Sequence, residues 1–191
     1  AGASVATFTG DDGADTLTGA SAADILDGDA GNDTITGNAG NDTITGGAGN
    51  DTLNGNAGND IITAGAGNDI VDAGAGNDTI AMAGNLDLDD TVDGGAGTDT
   101  VSINAAQTDS GFLNVSNIEA VTMNSTGTTT FGARAQAAGV ATITTGTGSD
   151  TIDASAMTND LTINLTAEGT GNNTTLTFGA GDNTLSVTGT A

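Results

Sequence analysis

The residues of this chain best equipped for chemistry are aspartates, and they recur. Asp33, Asp42, Asp51, Asp60, Asp69 and Asp78 stand nine residues apart, each preceded by Gly-Asn and followed two residues later by Ile, Leu or Val. Read in nines, Gly28 to Ala81 is GDAGNDTIT, GNAGNDTIT, GGAGNDTLN, GNAGNDIIT, AGAGNDIVD and AGAGNDTIA. Asp15 and Asp24 hold the same place in units before this run, and Asp90 and Asp99 in units after it. Glycine adopts backbone conformations closed to other residues, including positive φ, so carbonyls near Gly31, Gly40, Gly49, Gly58, Gly67, Gly76 and Gly97 can converge on one point. Adding a carboxylate makes an all-oxygen site, the donor set of Ca²⁺, which takes about 6–8 oxygens at about 2.3–2.6 Å.

The elements that position these aspartates must be very short strands. In each x-U-x triplet the middle residue (Ile35, Ile44, Leu53, Ile62, Val71 or Ile80) points opposite to its neighbours, mostly Thr, because side chains alternate across a strand. One face is apolar and the other hydroxylated. Such a strand cannot bury its side chain alone, so units must stack until their apolar positions form one continuous ladder. The remaining residues of each unit turn the chain.

This glycine- and aspartate-rich nonapeptide resembles the calcium-binding repeat of the RTX (repeats-in-toxin) family. The resemblance implies an all-β fold, a right-handed parallel β-roll or β-helix solenoid in which two nonapeptides make one 18-residue coil. It also implies Ca²⁺ between loops stacked on one edge, with ligands from units n and n+2. Asp15, Asp33, Asp51 and Asp69 would line one edge, and Asp24, Asp42, Asp60 and Asp78 the other.

Composition agrees with a metal-loaded solenoid. Of 191 residues 32 are Gly, none is Pro, Cys, His, Trp or Tyr, and Arg134 is the one base against 25 acids, for a net charge of −24. Low hydrophobicity with high charge ordinarily signals disorder, but here the charge is periodic and in phase with an apolar position. About six to eight Ca²⁺ ions would bring about twelve to sixteen positive charges. Without them glycine entropy and like-charge repulsion oppose folding, so metal binding becomes folding free energy, and the first half is expected to be unfolded without calcium.

The acidity excludes nucleic acid, whose phosphates need cations, and disfavours anionic membranes. No apolar run is long enough to span a membrane or insert into one directly. No signal peptide is visible and Ala1 is not an initiating Met, so a processed or partial chain is expected. Loops of this kind suit millimolar calcium outside the cell, which points to an extracellular or bacterial cell-surface location.

Two segments are expected, a calcium-binding β-roll over 1–102 and a Thr/Ala-rich parallel β-helix over 103–191 that contains two degenerate repeats. Residues 1–9 fit the register with Phe8 at the apolar position and Ala6 in place of Asp, while Gly19–Asp27 keeps Asp24 but has Ala20 and Ala22 at glycine positions, which predicts a weaker site. Met82–Asp93 is three residues longer than a repeat and reads as a solvated bulge, with an irregular calcium site on Asp87, Asp89 and Asp90 as the alternative. Asp99 should share an ion with Asp78. Beyond Ser102, Val121, Ile143, Ile163 and Leu185 are expected to point inward at steps of 22, 20 and 22 residues. Within TGTGSDTID, Asp150 is an extra candidate ligand, whereas in FGAGDNTLS Asn183 replaces the carboxylate and predicts no ion. The stretches Ala105–Phe112 and Ala133–Gly139 read as loops or short helices. Glu119 and Arg134 read as exposed, an ion pair being the alternative.

Catalysis has few means here. There is no His, Cys, Lys or Tyr, and paired carboxylates of the glycosidase kind are spaced as calcium ligands instead, so no enzyme is expected. The first of three non-enzymatic readings is a structural module that folds on Ca²⁺ and assembles into a surface layer, filament or matrix. Residues 103–191 resemble β-helical segments of RTX-type bacterial S-layer and other large surface proteins. Both ends lie in strand register without polar caps, inviting head-to-tail or lateral self-association, with surface polysaccharide as a further partner. The second reading is the export and folding module of a type I secreted protein. The third is ice binding by Thr and Asn rows: Asn32, Asn41, Asn50, Asn59, Asn68 and Asn77 fit one RTX adhesin type, but Ala30, Ala39, Ala48, Ala57, Ala66 and Ala75 stand where its Thr would be. Tight turns also select Asn.

Overall fold

The computed structural model describes residues 4–82, 86, 88–104, 108–124, 127–146, 148–166 and 174–187. In chain order the strands are β1 (Thr7–Thr9), β2 (Thr16–Thr18), β3 (Ile25–Asp27), β4 (Thr34–Ala39), β5 (Thr43–Ala48), β6 (Thr52–Ala57), β7 (Ile61–Ala66), β8 (Ile70–Ala75), β9 (Thr79–Met82) and β10 (Thr91–Asp93). They continue as β11 (Thr100–Ile103), β12 (Val115–Ser116), β13 (Ala120–Met123), β14 (Gly127–Thr130), β15 (Thr142–Thr144), β16 (Asp150–Ala154), β17 (Thr162–Leu165), β18 (Thr175–Phe178) and β19 (Thr184–Val187). Among the described residues helix is confined to α1 (Ala133–Ala138) and a 3₁₀ turn at Asp109–Phe112.

Every pairing is parallel, and each strand pairs with the strand two places along the chain. The odd strands form one ten-stranded sheet running the length of the molecule, while β2 to β12 form a six-stranded sheet and β14, β16 and β18 a separate three-stranded one. The chain is therefore a parallel β-solenoid, as the repeat predicts.

The registers show why. Leu26, Ile44, Ile62, Ile80 and Val101 stand side by side in the long sheet, and Ile35, Leu53, Val71 and Val92 in the sheet facing it. All are at most 1 % exposed, so the two columns make a core one side chain deep on each face. Each such side chain, stranded in water in a single unit, gains about 1.5–3 kcal/mol once the next coil covers it.

The coil is widened without breaking the ladder. Ile62 pairs with Ile80, 18 residues on, but Val71 pairs with Val92, 21 residues on, so the three extra residues are accommodated outside the strands. Val121, Ile143, Ile163 and Leu185 pair in the expected register. The first three are buried, but Leu185 is 49 % exposed, and Phe8 at the other end of the sheet is 43 % exposed. Among the described residues, each lies on an outermost strand of the sheet with a neighbour on one side alone.

Where the second sheet changes, wider coils need more filling. Phe112 and Phe131 pack there with ring centroids 5.6 Å apart, and α1 lays Ala135 and Ala138 against the core. Its run of Ala, Arg and Gln favours helix, which stops at Gly139 in the left-handed region at φ 107, whose N–H caps Ala135 and Gln136. Of the stretch Ala133–Gly139, residues 133–138 thus form a helix and Gly139 its cap. Of Ala105–Phe112, residues 105–107 lie outside the described residues and 109–112 form the 3₁₀ turn.

Candidate metal centres

The strands bring the aspartates into two files, one on each edge of the roll. On one edge the N–H of Asp15 donates to Asp33 Oδ1 at 2.8 Å, Asp33 to Asp51 at 2.9 Å, Asp51 to Asp69 at 3.0 Å and Asp69 to Asp90 at 3.0 Å. On the other, Ala6 donates to Asp24, Asp24 to Asp42, Asp42 to Asp60 and Asp60 to Asp78, each at 2.7 Å, and Asp78 to Asp99 at 2.8 Å. Apart from Asp15, these carboxylates are at most 2 % exposed.

In seven of them only one oxygen is used. Oδ2 of Asp33, Asp42, Asp51, Asp60, Asp69, Asp78 and Asp99 is buried with no hydrogen-bond partner. An unsatisfied buried polar atom costs about 1–3 kcal/mol, more when charged. Here seven such atoms stand in two stacked rows. Burial raises the carboxyl pKa of Asp42, Asp51, Asp69, Asp78 and Asp99. Asp60 is pushed up to about 6, by burial first and then by its like-charged neighbours Asp78 and Asp42, against the lowering effect of the Asp42 N–H.

The loops leave room at these oxygens. A Cβ on Gly28 would fall on both Asp33 Oδ2 and the Gly46 carbonyl oxygen, and one on Gly55 on Asp60 Oδ2 and the Ala73 carbonyl. Carboxylate and carbonyl oxygens from successive coils therefore meet at one place. Among the described residues no three acids converge, so carbonyls must supply most of any ligand set. Buried orphan carboxylate oxygens facing carbonyls fit a hard divalent cation such as Ca²⁺. That cation would supply the positive charge the rows lack, and Asp33, Asp42, Asp51, Asp60, Asp69, Asp78 and Asp99 would hold it.

Two other positions explain the repeat. A Cβ on Gly49, at φ 137, would land on the Gly31 carbonyl of the coil beneath, so the fourth position must be Gly. The second position also has positive φ, with Asp29 at 71, Asn38 at 75 and Asn56 at 72, a region Asn and Asp enter more readily than other side-chain-bearing residues. Position five forms a second ladder of opposite sense. The N–H of Asn50 donates to Asn32 Oδ1 at 2.8 Å, Asn59 to Asn41 at 2.9 Å, Asn68 to Asn50 at 3.0 Å and Asn77 to Asn59 at 2.8 Å. Each coil is thus tied to both of its neighbours through Asp and again through Asn, the N–H groups of the two ladders pointing in opposite directions along the stack.

Asp24 differs. Both its oxygens already accept N–H groups, from Ala6 at 2.7 Å and Ala20 at 2.6 Å, and these donors, that of Ala20 foremost, hold its pKa below the usual value. It has less need of a cation, in line with the Ala20 and Ala22 substitutions. In the bulge, Asp90 is buried in the file, Asp89 is exposed, and Asp87 lies outside the described residues. Asp150 is 2 % exposed but stands outside both files, since its register partner on β14 is Gly127 and its N–H meets Thr174 Oγ1 at 3.4 Å.

Glu119 corrects the sequence reading. It is not simply exposed: its Oε2 accepts the Asp99 N–H at 2.8 Å, extending the second file by one coil. The signal was present in Glu119-Ala120-Val121, an acid two residues before an inward valine, as in Asp99-Thr100-Val101.

A family model described as the RTX calcium-binding nonapeptide repeat matches this chain in four copies, over residues 9–44, 45–80, 89–102 and 138–156. No curated protein matches the chain.

Proposed function

This chain belongs to the RTX calcium-binding nonapeptide-repeat family, and we propose that it is an extracellular structural module that folds on Ca²⁺ and assembles into a cell-surface layer, filament or matrix. RTX repeats bind Ca²⁺ and are typical of secreted proteins. Among the described residues no helix is long and apolar enough to cross a membrane. The observation that carries the reading is the double row of buried, unpartnered Asp Oδ2 atoms. Without metal these rows oppose the fold, and with about six to eight ions they hold it. Low calcium keeps the chain open, and high calcium closes it coil by coil.

Assembly is supported by apolar side chains on the outer surface. Ile25 and Ile61 on the long sheet and Ile70 on the opposite one are 47 %, 54 % and 52 % exposed. The role is structural rather than catalytic, because the buried acids are committed to the coil corners.

Family membership also supports a second reading, an export and folding module of a type I secreted protein. Light scattering during a Ca²⁺ titration from chelator, with Mg²⁺ as control, separates the two. The assembly reading expects growth into large particles that chelator reverses. Folding at constant particle size would overturn assembly and favour the export module.

A further inference from the structure

The nonapeptide repeat breaks off at Ser102 and is next matched over residues 138–156, yet the second carboxylate file has one more member between them. β13 pairs with β11 so that Ala120 stands beside Thr100 and Val121 beside Val101, which places Glu119 beside Asp99. The corner leading to it is short: Gly94 precedes Asp99 by five residues, whereas Asn117, whose carbonyl meets Gly94, precedes Glu119 by two. A longer side chain recovers the lost reach. Glu119 Oε2 takes the Asp99 N–H at 2.8 Å, the distance at which Asp99 Oδ1 takes the N–H of Asp78.

Two further observations mark this corner as more than a hydrogen-bonded stop. Asp99 is 0 % exposed and its Oδ2 is buried with no partner. The Asn117 carbonyl oxygen falls where a Cβ of Gly94 would be, the place that the Gly46 carbonyl takes at Gly28 and the Ala73 carbonyl at Gly55. An orphan carboxylate oxygen and a loop carbonyl from the next coil are thus both present at this corner, although the side-chain atoms beside that carbonyl's place are Asp99 Cβ and Ile118 Cδ1 where Gly28 and Gly55 have a carboxylate oxygen.

We propose that Glu119 is the last acidic ligand of this file, closing with Asp99 and the Asn117 carbonyl a site for one Ca²⁺ that the repeat pattern does not reveal. The inference rests on the calcium reading above. A residue that only ended the hydrogen-bond ladder would need an acceptor and no charge, whereas a cation ligand needs the charge. Glu119→Gln separates these roles, because its amide oxygen can still accept the Asp99 N–H.

Equilibrium dialysis against excess Ca²⁺, followed by elemental analysis, counts the ions held per chain. Glu119→Gln should hold one ion fewer than the wild type, while Asp72→Asn, which removes an exposed charge, should hold the same number. An unchanged count in a folded Glu119→Gln overturns the inference and leaves the calcium reading standing. No calcium in the wild type overturns both. Should Glu119→Gln fail to fold, Glu119→Asp keeps the charge one methylene short. Its last ion should then require about 10-fold more calcium or beyond, and an unchanged requirement overturns the proposal.

Discussion

The corner at Asp78 and the corner at Asn183 are built on the same plan with opposite electrostatics. At the first, Oδ1 accepts an N–H from the coil before it and Oδ2 is left buried and bare. At the second, Asn183 Oδ1 accepts the Leu161 N–H at 3.2 Å, and its Nδ2 donates to the Gly179 and Gly181 carbonyls at 3.3 and 3.2 Å. The amide nitrogen satisfies loop carbonyls that, at the first corner, a cation would serve. The sequence change is a transposition, Asn77-Asp78 becoming Asp182-Asn183, and the displaced acid takes over the outer ladder, Asp182 N–H meeting Asp160 Oδ1 at 2.8 Å. The outer place exposes a charge and the inner place buries one. On the proposed function, calcium dependence is therefore written in which of two adjacent residues is ionised, and the backbone plan is common to both halves.

That contrast predicts a crossover. Asp60→Asn should imitate the Asn183 corner, destabilising the calcium-loaded roll, because the ions beside Asp60 lose a ligand, while stabilising the chelated chain. Relief of one orphan oxygen is worth about 1–3 kcal/mol, read as the difference in denaturation midpoint with and without calcium. A loss of similar size under both conditions would mean that the amide cannot replace the ion.

Acid should act in the same direction as that substitution. Asp60 has its pKa raised from 3.8 to about 6 in the fold, chiefly by burial. A raised carboxyl pKa contributes stability that is full below the unfolded value and is lost as pH rises through the folded one. The chelated first half should therefore gain β structure between pH 7 and pH 4, measured by circular dichroism, while its calcium affinity falls. Asp153, on β16, has the opposite sign: the Ser155 hydroxyl and N–H hold its pKa down, so its contribution is present above the usual carboxyl value and fades on acidification. A uniform response to acid along the chain would break the contrast.

The reciprocal substitution is smaller in reach. Asn183→Asp should import an orphan carboxylate into the second half and lower its stability in chelator by about 1–3 kcal/mol, with calcium restoring part of the loss. Smallest is Asn59→Ala, which removes one rung of the neutral ladder. It should cost about 0.5–1.5 kcal/mol equally with and without calcium, because that rung involves no metal.

Much of this was legible from residue order. A period of nine with an invariant Asp and an aliphatic residue two places on determines both the coil and the files, and the looser Thr-rich strands still put Val121, Ile143 and Ile163 in their observed register. What stayed hidden depends on coil shape. The transfer of the second face from β12 to β14 follows from wide coils filled by Phe112 and Phe131, and no periodic signal marks it. Glu119 escaped because its corner lacks the glycines that define the motif. The Asn ladder looked like turn chemistry because its partner lies a full coil away.

Hydrogen exchange followed residue by residue, in calcium and in chelator, tests the central claim most directly. Amides of residues 28–102, the donors into Asp33 to Asp99 among them, should be protected in calcium and exchange freely in chelator, with protection returning when calcium is restored. Equal protection of those amides in both conditions would contradict the account, because the buried carboxylate rows would then hold together without the charge they lack.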